Sequence, residues 1–125
     1  MNQSARRARE RVMIDLKLNT EHGFLHGSPR DRVFELLVLH VDDAHHNCGI
    51  GTTLLRALSK WCIDRGIRRI NVDDMSVRHR QPHNIYIVCG FSYRNSTGPE
   101  MYANPKMVER HTRRASNYID YHRLH

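Results

Sequence analysis

The chain has no long apolar run, no cysteine pair and few aromatic side chains, and each lack removes a class of protein. Its longest apolar stretch, Phe34 to Val41, is far shorter than the ~20 residues of a membrane span and is broken by Glu35 and His40. Arg6, Arg7, Arg9 and Arg11 are followed by Asp15 and Lys17, which leaves no apolar core for a secretory leader. A soluble cytoplasmic protein with no membrane partner is expected. Cys48, Cys62 and Cys89 are odd in number and widely spaced, which argues against a disulfide framework or a zinc knuckle. The arginine groups Arg6 to Arg11, Arg78 to Arg80 and Arg110 to Arg114 are not interleaved with aromatics, which disfavours a base-stacking groove.

Negative charge is also scarce. Twenty Lys and Arg face 13 Asp and Glu, a formal net charge of +7. Such a surface attracts polyanions: a nucleic acid, an acidic protein partner or the phosphates of a cofactor. At 125 residues the chain is the length of one domain, expected here over 1–125 with a basic arm at 1–10 and a C-terminal helix at 104–125.

Hydrophobic periodicity orders the elements. Val12, Ile14, Leu16 and Leu18 alternate with polar residues as in a half-buried strand. Asn19 to Arg32, with Gly23, Gly27, Ser28 and Pro29, reads as a loop holding at most an extra short strand. Phe34 to Val41 reads as a central strand covered on both faces. Ile50, Leu54, Leu55, Leu58, Trp61 and Cys62 mark one face of a helix, closed by Gly66, and Ile67 to Val72 the next strand. Strand, helix, strand implies a parallel pair joined by a right-handed crossover. Pro82 suits the start of a short helix carrying Ile85, Tyr86 and Cys89. Phe91–Tyr93 and Glu100–Ala103 read as a hairpin, and Asn104-Pro105 as the cap and first residue of a last helix bearing Met107, Val108, Ala115, Tyr118 and Ile119.

The most informative segment joins the central strand to the long helix through Asn47-Cys48-Gly49-Ile50-Gly51-Thr52. Two glycines allow close approach to the backbone, and the amides of a helix start favour a phosphate or diphosphate. A nucleotide-hydrolase loop would need a lysine after its last glycine, where Thr52 stands. A dinucleotide fingerprint would need a third glycine, where Leu54 stands, although Asp73 lies at the distance of a ribose contact.

Leu39-His40-Val41 followed by Gly49-Ile50-Gly51-Thr52-Thr53-Leu54-Leu55 resembles motif A of the GNAT superfamily of acyl-coenzyme A-dependent N-acyltransferases, with His46 at its Arg/Gln position. Tyr86-Ile87-Val88-Cys89-Gly90-Phe91 resembles that family's motif B. The resemblance implies an α/β fold, a mixed central β-sheet with helices on both faces and an added C-terminal helix. It implies acetyl-CoA as co-substrate and transfer to an amine by direct attack in a ternary complex. The coenzyme's pantetheine arm would lie along Leu39, His40 and Val41, and its diphosphate on amides from Asn47, Cys48, Gly49, Ile50, Gly51 and Thr52, with charge from His46. A backbone N–H near Val41 would polarise the thioester carbonyl.

By the same resemblance Glu35 matches a general-base glutamate and Tyr86 a general-acid tyrosine. Other readings stand beside these: Glu35 paired with an arginine such as Arg32 or Arg69, and Tyr86 a half-buried helix aromatic. Arg78, His79 and Arg80 read as a solvated loop or as contacts to the coenzyme's 3′-phosphate or an acidic acceptor. His45 and His46, with His22, His26, His79 and His83, raise a metal site, but no H-E-x-x-H or cysteine pair accompanies them, so no metal is expected. Cys48 reads as buried or cofactor-lining rather than nucleophilic.

The family's opening strand and two helices, which wall the acceptor pocket, have no counterpart in the ten or so residues before the first strand. An open site for a macromolecular amine, or closure by another subunit, is therefore expected. The last helix is a further wall or a homodimer contact. Two other functions are carried beside the transferase: a basic nucleic-acid-binding module, and a catalytically silent protein that binds coenzyme A.

Overall fold

The computed structural model describes residues 15–45, 49–76 and 79–114. In chain order these form β1 (Leu16–Thr20), β2 (Gly23–Arg30), β3 (Val33–Val41), a 3₁₀ turn (Asp43–His45), α1 (Ile50–Asp64), β4 (Arg69–Asp73), α2 (Ile85–Val88), β5 (Ser92–Tyr93), β6 (Glu100–Ala103) and α3 (Pro105–His111). The strands make one mixed sheet in the order β1-β2-β3-β4-β6-β5. Among the described strands only β3 and β4 run parallel, as the crossover through α1 requires.

The segment expected to be a loop is instead a full strand. β2 pairs with both β1 and β3, and its glycine marks close packing rather than a turn. A Cβ at Gly27 would lie 2.3 Å from Phe34 Cε1 and 2.5 Å from the Glu35 carbonyl oxygen, so only glycine lets β2 pass over that ring. The first strand correspondingly runs from Leu16 to Thr20, and Val12 and Ile14 lie outside the described residues.

Among the described residues β3 is covered on one face only. Its buried residues, Phe34 and Leu36, share a face with Leu16, Leu18, Leu25, Ile70, Val72, Met101 and Ala103, and the described helices pack on that face. Leu37 is 61% exposed, so this apolar run reflects a change of phase rather than burial on two sides. Between His26 and Gly27 the β3 partner jumps from Val38 to Leu36, which makes Leu37 the extra residue of a β-bulge. Beyond it the alternation is shifted by one, and Leu39, opposite Leu25, returns to the helix face.

α1 supplies the centre of the core. Leu54, Leu55, Leu58 and Cys62 are fully buried, and Trp61 meets Phe34 edge to face at 5.7 Å between centroids. Gly66, at φ +71, turns the chain out of the helix as its position predicted. α3 crosses α1, with Arg56 Nη1 3.3 Å from Glu109 Oε2. It ends at His111, where the Thr112 hydroxyl donates to the Val108 carbonyl. Residues 112–114 form a turn, and the rest of the helix expected to 125, with Ala115, Tyr118 and Ile119, lies outside the described residues. α2 opens at Asn84 rather than Pro82, because the Asn84 side chain accepts from the Tyr86 amide at 2.8 Å. No described helix is long and apolar enough to cross a membrane.

Candidate active site

The β3–β4 ladder covers four residues, Val33–Leu36 against Arg69–Val72, and stops at the bulge. β4 continues to Asp73 along β6 while β3 runs on to Val41 along β2, so the two strands part. Into the opening points the start of α1. Its N-cap Gly49 sits at φ +80, and among the described residues no side chain caps the helix. The carbonyl of Gly49 is taken up by the Thr53 amide at 2.9 Å and the Thr53 hydroxyl at 2.8 Å, which fixes the first turn. Unsatisfied amides with the positive end of the helix dipole behind them attract an anion.

A cavity of about 450 Å³ occupies this place, with Leu39 and Val41 on one wall, Gly49 to Thr52 at one end, and Asn84 to Tyr86 opposite. Gly51 keeps the wall thin. A Cβ there would lie 2.5 Å from Ile85 Cδ1, so α1 and α2 approach through the missing side chain. The parting strands, the uncapped amides and the glycine contact suit a ligand with a slender apolar-polar arm ending in phosphates.

Tyr86 lies on this cavity and is largely buried against Phe91, ring edge to face at 5.5 Å. Burial, with the neighbouring Asp74 charge and Cys89, pushes its phenol up to about 12. The hydroxyl therefore stays protonated through the neutral range.

Behind Tyr86 stands a carboxylate that sequence reasoning missed. The side chain of Asp74, at the end of β4, is wholly buried. It accepts from the Ser76 hydroxyl at 2.6 Å, the Ser76 amide at 3.1 Å, Asn84 Nδ2 at 2.9 Å and the Tyr93 hydroxyl at 2.5 Å. Burial raises its pKa, but the bonds from Ser76 and Tyr93 and the nearby His79 outweigh this and hold it below the ordinary value. The same Asn84 caps α2 through Tyr86, so a chain of bonds runs from β4 and β5 to the residue facing the cavity. Asn84, two residues before Tyr86 and of a cap-forming type, was the available sequence signal.

Glu35 lies on the other face of the sheet, in a separate recess of about 380 Å³ with Leu37, Asn71, Asp73, Arg94 and Glu100. Its Oε1 accepts from Asn71 Nδ2 at 3.3 Å and lies 3.6 Å from Arg30 Nη2. The partner is Arg30 rather than Arg32 or Arg69 because β2 and β3 are antiparallel: Arg30 faces Val33, two residues along the same face from Glu35. Leu36 and Leu37 reach this recess at the bulge, where the strands begin to part, while Leu39 and Val41 line the first cavity.

Of the other expected site residues, His40 does not line the cavity. Its ring stands beside Phe24 at 5.3 Å, with Nε2 3.3 Å from Asp42 Oδ1. His46, Asn47 and Cys48 lie outside the described residues, as do Arg78 and the arm Arg6 to Arg11. Arg80 is engaged within the fold, donating to the Asn95 and Gly98 carbonyls at 3.0 and 3.1 Å with its guanidinium 4.1 Å from the Tyr93 ring centroid. His79 is likewise held by Asp74. His45 reaches the cavity and stacks on His22, a neighbour no sequence spacing indicated. Cys62 and Cys89 are buried free thiols, pushed up to about 12 and about 11 by burial and thereby inert.

The profile of the acetyltransferase (GNAT) family matches residues 3–91. Among solved structures, PaiA N-acetyltransferase from Thermoplasma acidophilum in complex with coenzyme A is 25% identical, over 66% of this chain and 53% of its own, at a TM-score of 0.57. An acetyltransferase of the GNAT family from Staphylococcus aureus Mu50 is 19% identical over 70% of this chain and 64% of its own, at 0.58. The anti-CRISPR protein AcrVA5 is 18% identical over 70% of this chain and 96% of its own, at 0.59. The chain thus covers little more than half of the Thermoplasma enzyme, whereas it covers nearly all of AcrVA5. No curated protein sequence matches it.

Proposed function

Because the chain belongs to the acetyltransferase (GNAT) family, we propose that it acts as a single domain transferring an acetyl group from acetyl-coenzyme A to an amine. The observation that carries this reading is the opening between β3 and β4 beyond the Leu36–Val72 pair, with the uncapped start of α1 at its end. Acetyl-coenzyme A supplies the activated acyl carbon; the chain's own residues hold it, admit the amine and move two protons.

The amides of Ile50, Gly51 and Thr52 receive the diphosphate, and the edge of β3 between Leu39 and Val41 receives the pantetheine arm as an added strand would be received. A backbone N–H of that edge polarises the thioester carbonyl. Tyr86, still protonated at neutral pH, donates to the departing sulfur. From the opposite face Glu35 accepts the proton the amine must lose, directly or through water; Arg30 and Asn71 hold its carboxylate in place. As the amine nitrogen bonds to the acyl carbon, the carbon–sulfur bond breaks. Glu35 takes the first proton from the ammonium before attack; Tyr86 gives its own proton to the sulfur and takes the second nitrogen proton in return, so the products are the neutral amide, the free thiol and one proton carried off on Glu35.

The recess at Glu35 also carries Asp73 and Glu100 beside Arg94, an excess of carboxylates on a chain whose net charge is +7. That sign suits a cationic amine and not an acidic acceptor. The buried free thiols Cys62 and Cys89 fit a reducing, cytoplasmic setting.

Calorimetric titration with acetyl-coenzyme A tests the cradle, with Gly49→Glu as the informative variant. A Cβ at Gly49 meets nothing within 4 Å, so the substitution costs the fold only the left-handed strain of about 1–2 kcal/mol. The added carboxylate repels phosphate. Binding should weaken at least tenfold, and a thiol-release assay against diamines and lysyl peptides should show turnover in the parent protein only. Equal binding by both proteins would remove the assignment.

A further inference from the structure

Beside the cavity three side chains converge from two turns of the chain. His22 stands in the β1–β2 turn, Asp42 just past β3, and His45 at the end of the 3₁₀ turn. One ligand-type atom from each lies within 4.8 Å of the other two. Their backbones are tied together, since the Asp42 amide donates to the His22 carbonyl and the His45 amide to the Asp42 carbonyl, both at 2.8 Å. The His22 amide donates in turn to the Thr20 hydroxyl at 3.1 Å. The cluster therefore rests on two turns whose main chains are bonded to each other rather than on independent loops.

Two features of the side chains call for a partner. The His22 and His45 rings lie face to face, 3.5 Å between centroids and 8° between planes, which brings two imidazoles from separate turns into direct contact. At His45 the Nδ1 atom is buried with no hydrogen-bond partner among the described residues, a desolvated polar atom left unsatisfied. The carboxylate beside them is already oriented: Asp42 Oδ1 is 3.3 Å from His40 Nε2, while Oδ2 lies 3.9 Å from His22 Nδ1. A carboxylate oxygen held by a further histidine is how supporting groups aim a metal ligand.

We propose that His22, Asp42 and His45 form a site for one divalent transition-metal ion, with Zn²⁺ the ion that two imidazoles and a carboxylate fit best. Ligand bonds of about 2.0–2.1 Å set ligand atoms about 3.3 Å apart in a tetrahedron. The cluster must therefore close by at most about 1.5 Å from its present 4.8 Å limit. Side-chain rotation supplies this, because His22 and Asp42 are partly exposed, at 34% and 50%. The two rings tilt out of their stack on binding, since lone pairs in parallel planes do not converge. Three protein ligands leave the fourth position open. His45 also lines the cavity that begins at Gly49, so that position is accessible to a ligand there.

The test titrates the full chain with Co²⁺ followed by visible absorption, and with Zn²⁺ by calorimetry, both without coenzyme. One equivalent should bind with intense tetrahedral Co²⁺ bands and micromolar or tighter Zn²⁺ affinity. His22→Ala and Asp42→Asn should each weaken this at least tenfold, and His22→Ala/His45→Ala should abolish it. The pairs His79→Ala/His83→Ala and His122→Ala/His125→Ala should leave it unchanged. Circular dichroism at each variant confirms the fold, and Asp42→Asn, nearly isosteric at an exposed position, decides should a histidine variant unfold. Retention of the bands in His22→Ala/His45→Ala, their loss in a control pair, or no binding below millimolar Zn²⁺ would overturn the site.

Discussion

Asp74→Asn is the sharpest perturbation the structure offers, because it changes a charge and almost no volume. Four donors converge on the Asp74 carboxylate: the hydroxyl and amide of Ser76 on Oδ1, and Asn84 Nδ2 and the Tyr93 hydroxyl on Oδ2. An amide nitrogen at either position meets two of them. Hydroxyls can turn round and accept, but the Ser76 amide and Asn84 Nδ2 cannot, and Asn84 is fixed because its Oδ1 caps Tyr86. One N–H is thus left facing a donor, worth about 1–3 kcal/mol, while the remaining bonds fall from charge-assisted to neutral strength, a loss of about 0.5–1 kcal/mol each. The cheaper burial of a neutral amide offsets part of this, so the net loss should be about 2–4 kcal/mol.

Urea unfolding of parent and variant at pH 7 measures that loss. The pH dependence has a defined sign. Asp74 is held below the ordinary value of 3.8 in the folded state, so its contribution is present above about pH 4 and disappears as pH falls through the folded pKa. Parent and variant should therefore converge at lower pH, as the parent's carboxyl becomes neutral too. A gap under 1 kcal/mol at pH 7, or one unchanged at pH 3 and below, would refute the reasoning. Because the Asn84 cap loosens with it, the variant should also lose turnover more than coenzyme affinity.

Tyr86→Phe keeps the ring that packs on Phe91, so unfolding should shift by less than about 1 kcal/mol while kcat falls 10²–10⁴-fold, the range for a lost general acid. Thiol-release kinetics decide, and a kcat within threefold of the parent would remove Tyr86 from the chemistry. Glu35→Gln should depress kcat chiefly at neutral pH and recover as pH rises and the amine deprotonates unaided, read from pH–rate profiles; a uniform loss at all pH would make Glu35 only the partner of Arg30 and Asn71. Gly27→Ala should destabilise by about 3 kcal/mol in thermal melts, because the new methyl would press on the Phe34 ring and the Glu35 carbonyl. A neutral outcome there would mean β2 does not lie as tightly over β3 as described.

The long helix and the parallel pair it joins were legible because α1 repeats its apolar residues over four turns and Gly66 closes it, signals that depend on near neighbours alone. Gly49 and Gly51 were legible for the same reason, as backbone freedom at a helix start. β2 was not, since Gly27 belongs to a strand only when Phe34 passes beneath it. Nor was the one-sided burial of β3, because an apolar run and a bulged strand look alike until a partner sets the register.

What the sequence by itself determined is the local part of this protein: a two-glycine turn between a strand and a helix, a tyrosine in fixed register with Gly90-Phe91, and a basic chain without a membrane-length apolar run. Tertiary structure alone decided that β3 leaves β4 at Leu36, that Asp74 gathers donors from Ser76, Asn84 and Tyr93, and that His22 meets His45. The division is physical. Periodicity and turn chemistry act over a few residues, whereas a parted strand pair, a buried carboxylate and a cluster of imidazoles exist only once distant segments are packed and desolvated together.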